Sequence, residues 1–441
     1  MAELSGFPYF EIQFDKQGAV FDANEVCQAL NFLKSGSNTD LMIIAHGWNN
    51  DMADARALYK NFFARMREVL DGGAVGNGAR KFAVIGVLWP SKKFADDDLK
   101  PSGAAGAESP VTVAYLQKQL EGLEGVFDNP QADKLIDQAK ELVPKLEDSA
   151  TARREFADLV RSLPGNKGGN SEDASDRFFK LPGDEVMNRL SKPVLAAPPA
   201  RRPSGGATSV GVATGPSGGA AGLGSFFSGV RSGARNLLNF ATYYQMKERA
   251  GKVGSSGVSG VIQQIHGQSP NLRIHLTGHS FGGRLVTAAV LGAAGQTAVE
   301  FASMTLLQAA FSHNGFAQKF DGKSDGFFRR VVAENRIAGP LLITCTVNDK
   351  AVGVAYPLAS LIAGQNASSL GDANDPFGGI GRNGAQHTPE ASSGTLSKVG
   401  SSYGFQAGKL YNLNADEVIH DHSDICKNEV AYAVLSAMAK A

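Results

Sequence analysis

Cysteine is scarce in this chain. There are three in 441 residues, Cys27, Cys345 and Cys426, and no Cys-x-x-Cys pair. An odd count this widely spaced gives neither a disulfide framework nor a thiolate zinc site. Cys345 lies in an apolar run and reads as a small core residue. Net charge is lacking too. The 43 basic and 43 acidic residues cancel, so no global field draws the chain to nucleic acid or to an acidic membrane surface. No apolar run approaches the roughly 18 residues that a membrane span needs. The opening Met-Ala-Glu-Leu-Ser-Gly-Phe-Pro lacks the basic and then apolar pattern of a secretory leader. A soluble, reducing, cytoplasmic setting is expected, with leaderless export left open.

The chain does contain a sizeable apolar fraction, 43%, enough for a large core. Residues 7–22 alternate around Gln17-Gly18 and read as a short hairpin. Residues 41–45 form a continuous apolar run ending in His46-Gly47-Trp48, as does the run 82–88 before Trp89-Pro90. Such runs suit strands buried on both faces of a parallel sheet. Between them Leu58, Phe62, Met66 and Val69 recur at helical spacing behind a cap at Asn50 or Asp51. Strand, helix, strand with short connections is the rhythm of an α/β sheet.

That rhythm breaks over residues 91–224. Helices are expected at 111–123, 131–146 and 152–163. Residues 197–224 are rich in Pro, Gly, Ser and Ala and read as a flexible linker. The expected organisation is therefore residues 1–90 as the first part of the core, 91–224 as an inserted helical cap with its linker, and 225–441 as the second part. In that second part helices are expected at 237–252, 258–266, 352–362 and 424–438. Strands are expected at 274–277, 304–307, 341–347 and 409–413, and a long Gly/Ser/Asn-rich loop at 363–401.

The most informative stretch is Gly278-His279-Ser280-Phe281-Gly282-Gly283. It follows an apolar run and precedes a helical one. Strand, Gly-x-Ser-x-Gly, helix is the arrangement of a nucleophile elbow, a turn sharp enough to push one serine Oγ out of the bend. Glycines two positions before and after Ser280 remove the Cβ atoms that would collide there. The bare pattern is weak, and its alternative is a glycine-rich turn with an idle serine. The flanking strand and helix give it weight.

A serine hydroxyl needs a base, and the base needs an acid to fix its tautomer. In a parallel sheet these groups sit on loops at the carboxyl ends of strands, and in this arrangement the chain order is Ser, acid, His. The strand 304–307 ends in Gln308-Ala309-Ala310-Phe311, without a carboxylate, whereas 341–347 ends at Asn348-Asp349. Asp349 is thus the expected acid, with a helix cap as its alternative role. His387, His420 and His422 remain as bases. His387 lies in the long loop, and His422, next to the start of the closing helix, is preferred over His420. His279 reads as a packing residue beside the serine. Two backbone N–H groups are expected to face the oxyanion, one from Phe281 and one from Gly47 or Trp48 after the early strand.

With these residues assembled, the chain resembles the α/β-hydrolase superfamily over residues 40–89 and 237–438. It looks like the bacterial serine esterases and lipase-like members, on His46-Gly47-Trp48 in the oxyanion loop and Gly278-His279-Ser280-Phe281-Gly282-Gly283 at the elbow. The resemblance implies a mostly parallel central sheet with helices on both faces. It also implies Ser280 as nucleophile, Asp349 as acid, His422 as base, and Trp48 and Phe281 as oxyanion donors. The insertion departs from the pattern. It follows the strand ending at Trp89, whereas many relatives carry a cap after the strand beyond the nucleophile helix.

The expected chemistry is hydrolysis of a carboxylic ester through an acyl-enzyme, by an esterase, lipase or phospholipase. An acyltransferase, a thioesterase or a non-catalytic binding module is the alternative. The expected partner is an ester or lipid-like small molecule, with no nucleic acid, no cofactor and no metal. Phe226, Phe227, Leu237, Leu238 and Phe240 read either as a helix packed on the sheet or as an apolar acyl pocket. With Arg231, Arg235, Lys247 and Arg249 they also leave peripheral contact with a lipid surface open. Residues 371–375 lack the downstream glutamate of a calcium loop. Gly378-Gly379-Ile380-Gly381 follows no strand and carries no Lys-Ser/Thr, so it is not read as a phosphate loop.

Overall fold

The computed structural model describes residues 2–48, 50–76, 80–91, 111–165, 175–191, 229–349, 351–352, 362 and 375–441. The expected linker at 197–224, Phe226, Phe227, residues 371–374 and most of the expected helix 352–362 lie outside the described residues. The chain divides into two compact units. The first comprises Met1–Phe94, Tyr243–Gly353 and Gly378–Ala441, and the second Ala95–Thr242 and Val354–Phe377.

The first unit is α/β. Its strands are β1 Ala2–Leu4, β2 Phe7–Gln13, β3 Asp40–Ala45, β4 Phe82–Leu88, β5 Arg273–His279, β6 Ser303–Leu307, β7 Leu341–Cys345, β8 Ala391–Thr395 and β9 Leu410–Asn414. Among the described residues these nine form one sheet in the order β1-β2-β4-β3-β5-β6-β7-β9-β8. Only β1 runs antiparallel to its neighbour. Every residue of β3 and β4 is buried, which is why both read as unbroken apolar runs rather than alternating ones. On one face Met42, Ile44, Val84 and Leu88 meet Tyr59, Phe62, Phe63 and Met66 of the helix Met52–Asp71, with Val430, Val434 and Met438 of the helix Asn428–Met438 in the same cluster. Asp51 caps the first of these helices, accepting from the N–H groups of Ala53 and Asp54. The helix Phe281–Leu291 packs on β3 and β5.

Two sequence expectations change here. Residues 7–22 do not form a two-stranded hairpin. β2 is flanked by β1 and β4, so the returning limb finds no free edge and keeps only the bridge Phe14–Val20. Asp15 closes the turn by accepting from the N–H groups of Gln17 and Ala19, and Asp22 caps the helix Ala23–Leu33. The long loop expected at 363–401 is also partly ordered structure, with a short helix Ile380–Asn383 and the edge strand β8.

In the second unit the helices Val113–Glu121, Ala132–Leu142, Ala150–Ser162, Ser175–Lys180 and Gly183–Leu190 bury Leu116, Ile136, Phe156, Phe178, Val186 and Leu190. Thr112 and Ser149 cap two of them. The long helix Val230–Lys252 contributes its first half to this unit. Leu237, Leu238 and Phe240 on that half are buried, and Phe240 packs on Phe178 with ring centroids 5.8 Å apart. These residues are core, not an exposed apolar patch. Arg249, on the second half, is also buried and donates to the Pro90 carbonyl. No helix among the described residues is long and apolar enough to cross a membrane.

At the amino edge of the sheet Asp40, fully buried, gathers four donors. Arg273 binds it through Nε and Nη2 at 2.8 Å each, Arg80 at 3.0 Å, His275 at 2.9 Å and Thr39 at 2.6 Å. Burial pushes the Asp40 carboxyl up, but the hydrogen bonds from Arg273, His275 and Thr39 outweigh it and leave its pKa below the ordinary carboxylate value. Arg80 also donates to the Met438 carbonyl, so the network joins the starts of β3 and β5 to the closing helix. Stabilisation from a lowered carboxyl pKa is present above the unfolded-state value and is lost as pH falls through the folded one. Asp40→Asn should cost about 3 kcal/mol at neutral pH, near the lower bound for breaking a buried pair because the arginines keep some contact with water. Urea unfolding at pH 7 and at pH 3 checks this. The deficit should shrink at the lower pH, and a variant as stable as the parent at pH 7 would contradict it.

Candidate active site

Ser280 sits between β5 and the helix Phe281–Leu291 with φ 56 and ψ −124, a left-handed conformation that a residue with a Cβ resists. Such strain costs on the order of 1–3 kcal/mol and persists only where neighbours enforce it. They do so here. The Ser280 N–H donates to the Leu307 carbonyl at 3.1 Å, and the Ser280 carbonyl accepts from Ala310 at 2.9 Å and Gly283 at 3.0 Å. A Cβ on Gly282 would strike the Ala45 carbonyl at the end of β3, and one on Gly278 would strike Gly282 itself. The turn therefore closes only with glycine at both places.

Asp349 follows β7 and is fully buried. Its Oδ1 accepts the Val352 N–H at 2.9 Å, and its Oδ2 faces Nδ1 of His422 at 2.8 Å. One oxygen thus takes the cap bond and the other meets the imidazole, so the two roles weighed in the sequence do not exclude each other. An ionised carboxylate only accepts, so Nδ1 carries the proton and Nε2 offers its lone pair. The Ser280 hydroxyl donates to that Nε2 at 2.8 Å. The structure brings Ser280, His422 and Asp349 into one relay. His420 and His387 lie outside it. His420 is exposed, its backbone N–H bound to Asp424, and His387 is exposed and bound to Asn314.

Other side chains support the relay, and the sequence reading missed them. The Asn348 amide donates to the carbonyls of Asp416 and Ile419, and Asp416 accepts the Val347 N–H. These bonds tie the loop carrying Asp349 to the loop leading to His422. Gln308, buried with φ 45, accepts from the Thr344 hydroxyl and donates to the Gly381 carbonyl, which ties the segment after β6 to β7 and to the helix Ile380–Asn383. The partners of Asn348 and Gln308 lie up to 73 residues away in sequence, so no local pattern marks these roles.

The early loop lies where the sequence expected it. A Cβ on Gly47 would come within 2.6 Å of the Ser280 Cβ and 3.1 Å of its Oγ, so the loop backbone lies directly against the serine. The Gly47 carbonyl is turned the other way, accepting from His46 Nδ1 at 3.0 Å and from the Asn50 amide at 3.2 Å. In a trans peptide the following N–H points opposite to that carbonyl, so the Trp48 N–H is directed away from His46. The Trp48 ring packs edge-on against Phe281, 5.9 Å between centroids. The N–H of Phe281 heads a helix, where the first turn leaves its donors without intrahelical acceptors and the dipole favours negative charge.

His46 itself is locked. Its Nε2 accepts from the Trp89 N–H, its N–H binds the Tyr59 hydroxyl, and its ring stacks on Trp89. Burial lowers its pKa to about 4. Burial, and next the neighbouring His422, lower His279 to about 3. His422 moves the other way. Burial pulls it down, but the charge and hydrogen bond of Asp349, with a smaller contribution from Asp421, outweigh that and raise it above 6.5.

Comparison with protein-family models, with curated proteins and with solved structures gives no match to this chain.

An imidazole NMR titration should therefore show His422 with a midpoint above 6.5, while His46 and His279 stay neutral down to pH 5. Asp349→Asn removes the main group favouring the cation and leaves the burial penalty, so the His422 midpoint should fall. Asp421→Asn should lower it by less. An unmoved midpoint in Asp349→Asn would contradict this electrostatic account.

Proposed function

We propose that this chain is a serine hydrolase that cleaves carboxylic esters through an acyl-enzyme, built on an α/β-hydrolase fold. The observation that carries this reading is the relay of two 2.8 Å hydrogen bonds from Ser280 to His422 to Asp349. Supporting it, the three groups follow the parallel strands β5, β7 and β9 of one mostly parallel sheet, in the chain order of that fold and at the edge where open α/β sheets hold their ligands.

Ser280 Oγ attacks the ester carbonyl carbon as its proton passes to His422 Nε2. Asp349 holds the ring orientation and stabilises the imidazolium that forms. The oxygen of the tetrahedral intermediate takes hydrogen bonds from the backbone N–H of Phe281 and from that of Trp48 or Gly47. His422 returns the proton to the departing alcohol. A water molecule, deprotonated by the same histidine, then attacks the acyl-enzyme, and His422 returns that proton to Ser280 Oγ as the acid leaves. Acylation and deacylation each begin with His422 neutral, as the base for the attacking hydroxyl or water, so activity falls as pH drops through the raised midpoint of that residue.

Ser280→Ala keeps the backbone and deletes the attacking atom. Hydrolysis of p-nitrophenyl esters from acetate to decanoate should fall by roughly a thousandfold or more, with the thermal midpoint little changed. The chain-length profile of the parent separates a short-chain esterase from a lipase. Product analysis with an added alcohol separates hydrolysis from acyl transfer. Undiminished turnover in Ser280→Ala would remove the serine from the mechanism.

A further inference from the structure

His279 is 5% exposed, and its Nε2 lies 2.9 Å from the backbone carbonyl of His422. A carbonyl only accepts, so Nε2 carries the proton and Nδ1 is left with its lone pair. That Nδ1 is buried and has no hydrogen-bond partner among the described residues. Leaving a buried acceptor unmet costs about 1–3 kcal/mol, so the tautomer is set by the bond to His422 at a cost to the ring's other side. Packing alone would be met better by an apolar side chain.

The loop around His422 explains what that bond is for. Ile419 and Ile425 are buried and pin its two ends, while His420, Asp421 and Ser423 between them are exposed. The other backbone hydrogen bonds of residues 420–424 close on the loop itself. The N–H of Ser423 binds the Asp421 carboxylate, that of His420 binds Asp424, and that of Asp424 binds the Asp421 carbonyl. Among the described residues, the His422 carbonyl is the one backbone group of this stretch hydrogen-bonded to the buried elbow. His279 is adjacent to Ser280 in sequence, so its donor ties the backbone of the base to the backbone of the nucleophile.

We propose that His279 is a positioning residue, which through its Nε2–H to the His422 carbonyl fixes the distance and angle between the His422 imidazole and the Ser280 hydroxyl. The inference rests on the hydrolase reading for its effect on turnover and on geometry alone for its effect on His422. Burial keeps the ring neutral, so Nε2 carries its one ring proton, directed at the His422 carbonyl. A misplacement of about 1 Å at such a relay costs up to 100-fold in rate.

The test compares two side chains of similar shape. His279→Gln places an amide N–H where Nε2–H stands, and His279→Met removes the donor and keeps the bulk. The expected result for His279→Met is a kcat on p-nitrophenyl acetate lower by roughly tenfold or more with KM unchanged. The low-field proton resonance of His422 Nδ1–H should broaden or vanish. His279→Gln should keep kcat within about threefold of the parent, with the resonance intact. Equal behaviour of the two variants in both measurements would overturn the proposal. If the parent shows no turnover but the resonance still separates Gln from Met, the hydrolase reading fails and the positioning role stands. Nitrogen shifts of the parent give an independent check that needs no variant. They should show His279 protonated on Nε2 alone from pH 5 to 8, and a proton on Nδ1 would overturn the proposal.

Discussion

The first unit depends on the absence of side chains where two backbone turns meet. Gly282, one residue into the helix after Ser280, lies on the Ala45 carbonyl at the end of β3, and Gly47 lies on Ser280 from the other side. Only hydrogen atoms fit between them. That contact sets how far the helix Phe281–Leu291 descends onto β3 and β5, and it forces Ser280 into its left-handed conformation. The strain is held by hydrogen bonds to the end of β6 and the segment after it. The serine side chain, itself buried, projects from the bend because the main chain around it has no alternative route.

Strand β3 carries opposite electrostatic solutions at its two ends. At its start Asp40 is kept ionised by two arginines, a histidine and a threonine hydroxyl. Just past its end His46 is kept neutral by burial. The same holds for His279, at the end of β5. Only His422, paired with Asp349, is moved up toward the cation. Of the imidazoles of His46, His279 and His422, burial silences the first two. The pH response of the site therefore belongs to His422.

Much of the core was legible in the sequence because burial on both faces leaves a simple mark. β3 and β4 read as unbroken apolar runs, and the helix Met52–Asp71 shows its apolar spacing and its Asp51 cap. The edge strands were not legible. β1 has three residues, and β8 reads Ala-Ser-Ser-Gly-Thr and is largely exposed, so backbone pairing rather than side-chain pattern makes it a strand. The helix Ala23–Leu33 had its signal in Asp22 and in Val26, Ala29, Leu30 and Leu33, but the hairpin reading of the preceding residues hid it. In the site, Ser280 and Asp349 were legible because each stands just beyond a recognisable strand, and His422 because it lies between the last strand and the closing helix. His279, Asn348 and Asp416 were not, since their roles follow from which loop tips meet in space. No local pattern encodes a bond such as that from His279 to the His422 carbonyl, 143 residues away.

The central claim is that Ser280 is an activated nucleophile. Its most direct test is intact-mass and peptide mass spectrometry after incubation with a fluorophosphonate. The account predicts a single covalent adduct, mapped to the peptide containing Ser280 and absent in His422→Ala. A parent chain that takes no adduct, or one labelled at a different serine, would contradict it.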